Sequence, residues 1–318
     1  GLNGYSAHAT GASLSRIFGC PEVEYVEADG IVSIYDGLHD ANGGRSTEFN
    51  DVSAEIRNDP GEPGGPGSER PVEIGVMSTG VIQSHSAFMN EQGTGTRAVN
   101  GGNPWVDTNG YGTKVAGRAA GKFYGPAPEA TIVPIKVFSD LGKAPTSDII
   151  LALEWAAQRV LSTQPRPHFV LIITAISPLD YTFNYAVNVA GNEGLHIIVP
   201  AGDHHEDTSG VSPASAFRSI AVGGIDCRNQ IAAFSNYGSA VQLFASAINA
   251  PVPTINHAWG FMSGTVMSAA WVAGVAGNWL RHQQTLVTPR ELRETLTRYA
   301  TRDIRDPTGK MKWRVLAW

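Results

Sequence analysis

From Val72 onward, runs of apolar residues alternate with stretches of helical period. Ile74-Gly75-Val76-Met77, Ala130 to Val137, Phe169 to Ile173, Leu195 to Pro200 and Ile220-Ala221-Val222 are apolar at odd and even positions alike. That is the pattern of strands buried on both faces. Gly112 to Ala120, Thr146 to Leu161 and Asn184 to Ala190 lie between them as helices. The alternation predicts an α/β fold with a doubly wound, mostly parallel sheet covered by helices on both faces. Val266 to Leu280 is apolar almost all round and predicts a buried helix, whereas Pro289 to Ala300 is amphipathic, with Thr288 as cap and Pro289 in the first position. Sites in such sheets form beyond the carboxyl ends of strands, which singles out Ser78 and Asp203.

The N-terminal part reads differently. Residues 1–36 predict a strand (Tyr5 to Ala9), a helix (Ala12 to Phe18) and a strand over Val23 to Ala28 that continues through Ile31 to Ile34. Residues 37–70 carry Asp59-Pro60-Gly61-Glu62-Pro63-Gly64-Gly65-Pro66-Gly67, a composition with no apolar face to bury, and read as a linker. Three regions follow: a small N-terminal β-α-β unit (1–36), a linker (37–70) and a body (71–318).

Composition narrows the functional classes. A net charge of -6 without a block of like charges points away from nucleic acid and from an anionic membrane surface. No apolar run is long enough to span a bilayer. Cys20 and Cys227 form no framework and are expected as separate thiols. The first residues lack the basic start and apolar core of a signal peptide, and the chain has no Asn-x-Ser/Thr acceptor, so its compartment stays open. No cofactor or metal motif is present, since adjacent His204 and His205 point in different directions and no regular ligand spacing occurs.

Several blocks resemble the subtilisin-like serine protease family, in its fungal proteinase K branch. Met262-Ser263-Gly264-Thr265-Val266-Met267 is similar to the opening of the family's nucleophile helix, and Val76 to Val81 with Ser84-His85-Ser86-Ala87-Phe88 to its Asp-Thr-Gly strand end. Asn109-Gly110-Tyr111-Gly112-Thr113 resembles the helix that carries the catalytic histidine. Pro200-Ala201-Gly202-Asp203, Ser212-Pro213-Ala214-Ser215 and Ala233 to Gly238 complete the series in the family's order. Gly4-Tyr5-Ser6-Ala7 and Pro21 to Glu27 are similar to the second half of the family's inhibitory pro-domain. The resemblance implies a secreted protein.

The same resemblance places Ser78 at the triad aspartate, Tyr111 at the histidine, Val266 at the nucleophile and Asp203 at the asparagine that donates to the oxyanion. Serine brings no charge to orient a base, tyrosine with a pKa of about 10 is a poor base at neutral pH, and valine has no proton to lose. An ionised Asp203 would repel an oxyanion. A pseudoprotease without peptidase activity is therefore expected. The segment Thr174-Ala175-Ile176-Ser177-Pro178 stands where the family has a glycine-rich groove wall. Ile176 and Pro178 are expected to fill that groove in part, and a compact apolar ligand is expected over a peptide.

Two readings of the cleft remain. In the first, the fold is a binding body for a protein or a small apolar molecule, with its own pro-segment packed on it because no nucleophile exists to cut it off. In the second, the cleft serves new isomerase, lyase or cyclase chemistry on a small apolar substrate such as a secondary metabolite. Tyr111, Asp203, Lys114, His204 and His205 would then be the acid–base groups, and Ile176, Ser177, Trp259, Phe261 and Val266 would line the pocket. The plain alternatives are a solvated polar loop for residues 203–207, a surface position for Lys114 and core packing for the aromatics.

Overall fold

The computed structural model describes residues 4, 6–34, 70–88, 96–97, 102–300, 302–305 and 312–315. The expected linker lies outside the described residues except for Arg70. The helices among them are α1 (Ala12–Phe18), α2 (Tyr111–Ala120), α3 (Thr146–Ser162), α4 (Tyr181–Asn192), α5 (Thr265–Arg281) and α6 (Pro289–Tyr299). The strands are β1 (Ile31–Ile34), β2 (Val72–Ser78), β3 (Thr96–Arg97), β4 (Thr131–Lys136), β5 (Lys143–Pro145), β6 (His168–Ile173), β7 (Ala175–Pro178) and β8 (His196–Pro200). They continue as β9 (Val211–Ser212), β10 (Ser219–Ile225), β11 (Val241–Ser246), β12 (Ala250–Pro253), β13 (Trp259–Met262), β14 (Arg302–Arg305) and β15 (Lys312–Val315).

The main sheet runs β14-β15-β11-β10-β8-β6-β2-β4-β3 and is parallel except for the β14–β15 pair. The five apolar runs are its central strands, and β2, β6, β8 and β10 are buried at every residue. Helices α2 and α5 pack against each other, α5 also lies across β2, β6, β8, β10 and β11, and α3 pairs with α4. Helix α5 is buried along most of its length, as its uniform apolarity requires. Helix α6 begins with the expected cap: the Thr288 side chain accepts from the Glu291 amide, the Glu291 carboxylate accepts from the Thr288 amide, and Pro289 follows.

The N-terminal expectations need correction. The α1 helix forms and Ile31–Ile34 is a strand, but residues 6–9 and 23–28 are irregular. Their alternation of apolar and polar residues suits a sheet, yet no strand among the described residues pairs with them, and a strand without a partner leaves its backbone groups to water.

Chain order turns back on itself around β2, which pairs with β4 on one side and β6 on the other. The crevice at such a reversal lies at the carboxyl end of the strand. Here that end is Ser78.

Candidate functional site

Beyond Ser78 the chain is anchored by a buried acid that the sequence pattern did not single out. Asp107 accepts from the Thr79 hydroxyl (2.8 Å) and the Gly110 amide (2.8 Å) through Oδ1. Its Oδ2 accepts from the amide and hydroxyl of Thr113 (2.9 and 2.6 Å). Thr79 Oγ1 in turn accepts from the Gly112 amide (3.0 Å), so the start of α2 is tied to the end of β2. This brings Tyr111 and Gly112 beside Ser78. A Cβ at Gly112 would lie 3.1 Å from that of Ser78. Ser78 is buried, with its Oγ 3.2 Å from the Thr174 hydroxyl, which donates to the Met77 carbonyl (3.0 Å). Tyr111 is buried and Lys114, on the same helix, is half-buried.

On the other side, α5 begins at Thr265, with Val266 buried in its first turn. Gly264, at φ 143°, makes the turn into the helix, and a Cβ there would approach Asp203 Oδ2 at 3.3 Å and Val266 Cγ1 at 3.9 Å. Asp203 and Val266 therefore share one corner. Asp203 Oδ1 accepts from the Thr265 amide (2.7 Å), a cap supplied by a neighbouring loop to a helix whose own preceding residue is glycine. Burial pushes the Asp203 carboxyl up to about 6, against the Thr265 hydrogen bonds and nearby His204. The loss of solvation outweighs the capping bond and the helix dipole.

The other sequence candidates are placed by their own contacts and exposure. His204 and His205 have exposed side chains, and the His205 ring meets Tyr237 edge-on at 5.3 Å. Trp259 packs against Phe123, Tyr124 and His85 on the β12–β13 hairpin, and Phe261 is about half exposed on the same hairpin. Ile176 and Ser177 are half-buried on β7. Among the described residues, no group of three or more His, Cys, Asp or Glu could hold a metal ion.

The groove wall is where the structure departs most from expectation. Strand β1 lies between β5 and β7 and pairs antiparallel with both, in a small sheet ordered β5-β1-β7-β9. Val32 pairs with Ala144, Ser33 with both Lys143 and Ile176, and Ile34 with Ala175. The wall thus accepts an extended peptide, contrary to the expectation from Ile176 and Pro178. The reason is register. Pairing with β1 uses Ala175 and Ile176, while Pro178, which lacks an N–H, falls opposite Val211 of β9. Val32 and Ile34 are 2% and 7% exposed, and Ile31 points outward. Gly142, at φ 70°, leaves the space Ile34 occupies, since a Cβ there would come within 2.5 Å of Ile34 Cγ1.

Two carboxylates guide this strand in. Asp29 accepts from the amide and hydroxyl of Ser147 (2.9 and 2.6 Å) at the start of α3. Glu27 accepts from the amide (2.9 Å) and hydroxyl of Thr182 at the start of α4. Negative charge at two adjacent helix N-termini is favourable on both counts, hydrogen bonding and dipole. Glu27→Ala or Asp29→Ala is expected to weaken docking by roughly 1 kcal/mol. Amide exchange at Thr182 or Ser147, respectively, should then be faster by about fivefold.

The Subtilase family model matches residues 69–311. This chain belongs to the subtilase family. It is 32% identical over 306 residues to a cuticle-degrading serine protease of Arthrobotrys oligospora, covering 93% of this chain and 72% of that protein. It is 31% identical over 333 residues to subtilisin-like protease 1 of Pseudogymnoascus destructans, covering 98% of this chain and 76% of the relative. Among solved structures, a cold-adapted subtilisin-like serine proteinase superposes with a TM-score of 0.72 at 29% identity, over 77% of this chain and 88% of that one. The subtilase fold accounts for the parallel sheet and the paired helices α2 and α5. No helix among the described residues of this subtilase is long and apolar enough to cross a membrane.

Proposed function

We propose that this subtilase is a non-proteolytic binding body whose groove is held by its own N-terminal segment. The carrying observation is that β1 fills the space between β5 and β7 while Val266 stands in the first turn of α5. Ser78, Tyr111, Val266 and Asp203 stand at the triad and oxyanion positions, and none supplies the group that acyl transfer requires. Residues 1–36 act as a pro-segment that stays attached, its described part docked through Glu27, Asp29, Val32 and Ile34. An occupied strand-shaped groove favours a partner that offers an extended peptide over a small apolar molecule. The engagement of Asp203 with the Thr265 amide argues against its use as a base for recruited chemistry.

The test is labelling with a fluorophosphonate probe for activated serines, alongside hydrolysis of a chromogenic peptide. The wild-type chain should give neither signal. The combined variant Ser78→Asp, Tyr111→His, Val266→Ser, Asp203→Asn should gain both and cut its own chain after the docked strand. Labelling or turnover by the wild type would overturn the proposal.

A further inference from the structure

At the opposite pole of the sheet, by the amino ends of β6 and β8, lies a cavity of about 310 Å³. Its wall includes Arg166, His168, Glu193, His196, Arg218 and Arg290. His168 and His196 are 1% and 2% exposed, with ring centroids 6.2 Å apart. His168 has the Thr285 backbone as a hydrogen-bond neighbour, whereas Nδ1 of His196 is buried without a hydrogen-bond partner among the described residues. Buried polar atoms in a native fold are nearly always satisfied, so an unpartnered imidazole in the wall of a cavity marks the place as a polar site.

The charge around the two rings states what kind of site it is. Arg166 and Arg218 are half-buried in the wall and Arg290 stands at its rim. Arg166 donates to the Glu193 carbonyl (2.7 Å), which holds its guanidinium in place. The Arg218 guanidinium rests 5.3 Å from the Phe217 ring and has no carboxylate partner among the described residues. Arg70 bears on His168 and Arg293 on Arg218 from behind the wall. Glu193 is the lining carboxylate, and Glu294 is engaged by Arg290 at 2.8 Å. This is a cationic concavity on a chain of net charge -6. The start of α6 also borders it, but its capping box is internally satisfied, so the site rests on the side chains.

We propose that this cavity binds a phosphate group, free or as the monoester of a small polar molecule. Guanidinium forks match the tetrahedral oxyanion, and a neutral imidazole can donate one N–H to it. Burial and the neighbouring cations keep His168 near 4 and His196 near 3, so both are neutral at pH 7. The cavity has room beyond one phosphate for a small organic part.

The experiment follows the imidazole NMR signals and melting temperature of the intact chain at constant ionic strength. Inorganic phosphate, glucose 6-phosphate and glucose are titrated separately. Phosphate should move the His168 and His196 signals saturably and raise the melting temperature, and glucose should do neither. Tighter binding of glucose 6-phosphate than of phosphate would assign the monoester as the ligand, and equal or weaker binding the free anion. Arg166→Gln and Arg218→Gln should each weaken binding at least about tenfold. Arg290→Gln, on the exposed rim, keeps the test decisive if an inner variant fails to fold, and should weaken binding by about threefold. Absence of saturation at tens of millimolar phosphate and sugar phosphate, or equal binding by the arginine variants, would overturn the proposal.

Discussion

Replacing both Val32 and Ile34 with aspartate should expel residues 31–34 from the groove while the body stays folded. The two side chains are buried in the common core, and each contributes roughly 1.5–3 kcal/mol of apolar burial. Aspartate at either position would also bring a carboxylate into an apolar site without a partner. The combined loss exceeds about 4 kcal/mol, a shift of about a thousandfold in the docking equilibrium. The main parallel sheet does not depend on β1, whose pairs among the described residues lie with β5 and β7 at the surface sheet. Hydrogen exchange reads the result directly. The Thr146 amide, which donates to the Gly30 carbonyl at 2.8 Å, should become fast, while Ile198 within the parallel sheet stays slow. A synthetic peptide covering residues 27–34 should then bind the variant in trans. Slow exchange at Thr146 in the variant would mean that the groove does not hold this segment by Val32 and Ile34.

Asp203→Asn is expected to stabilise the protein at neutral pH and to make no difference near pH 4. The folded carboxyl is raised to about 6, above the unfolded value of about 3.9. A group raised in this way contributes stability below its unfolded pKa, and the contribution is lost as pH rises through the folded one. Two units correspond to about 3 kcal/mol lost by pH 7. The amide keeps an oxygen for the Thr265 N–H and carries no charge to desolvate. Chemical denaturation of both proteins from pH 4 to 8 should show curves that coincide at the acid end and diverge through pH 6, the variant being the more stable. Parallel curves would refute the desolvation account.

Much of the body was legible because β2, β6, β8 and β10 are buried on both faces and so lack polar interruptions. The cap of α6 was legible because Thr288, Pro289 and Glu291 are local to one another. Strand β11 and the β12–β13 hairpin escaped the pattern: Val241–Ser246 mixes Gln242 and Ser246 into its apolar run, and Pro251 and Pro253 interrupt β12. The corner formed by Asp203 and Val266 was foreseen from strand ends and block order. Asp107, Glu27 and Asp29 were not, because each acts on a helix start that the sequence does not mark as its partner. Asp107 lies only three residues before Gly110, so capping logic could have found it. Glu27 and Asp29 reach amides more than a hundred positions away, and no local pattern encodes that.

The strand seated between β5 and β7 belongs to the same molecule as its groove, and that sets a threshold for any rival. A tethered ligand is present at its site at an effective concentration in the millimolar range, on the order of a thousandfold above that of a free partner at micromolar levels. An outside peptide of equal intrinsic fit would almost never be found in the groove. A productive competitor must therefore either fit far better than residues 31–34 or first release the acids that seat them at the starts of α3 and α4.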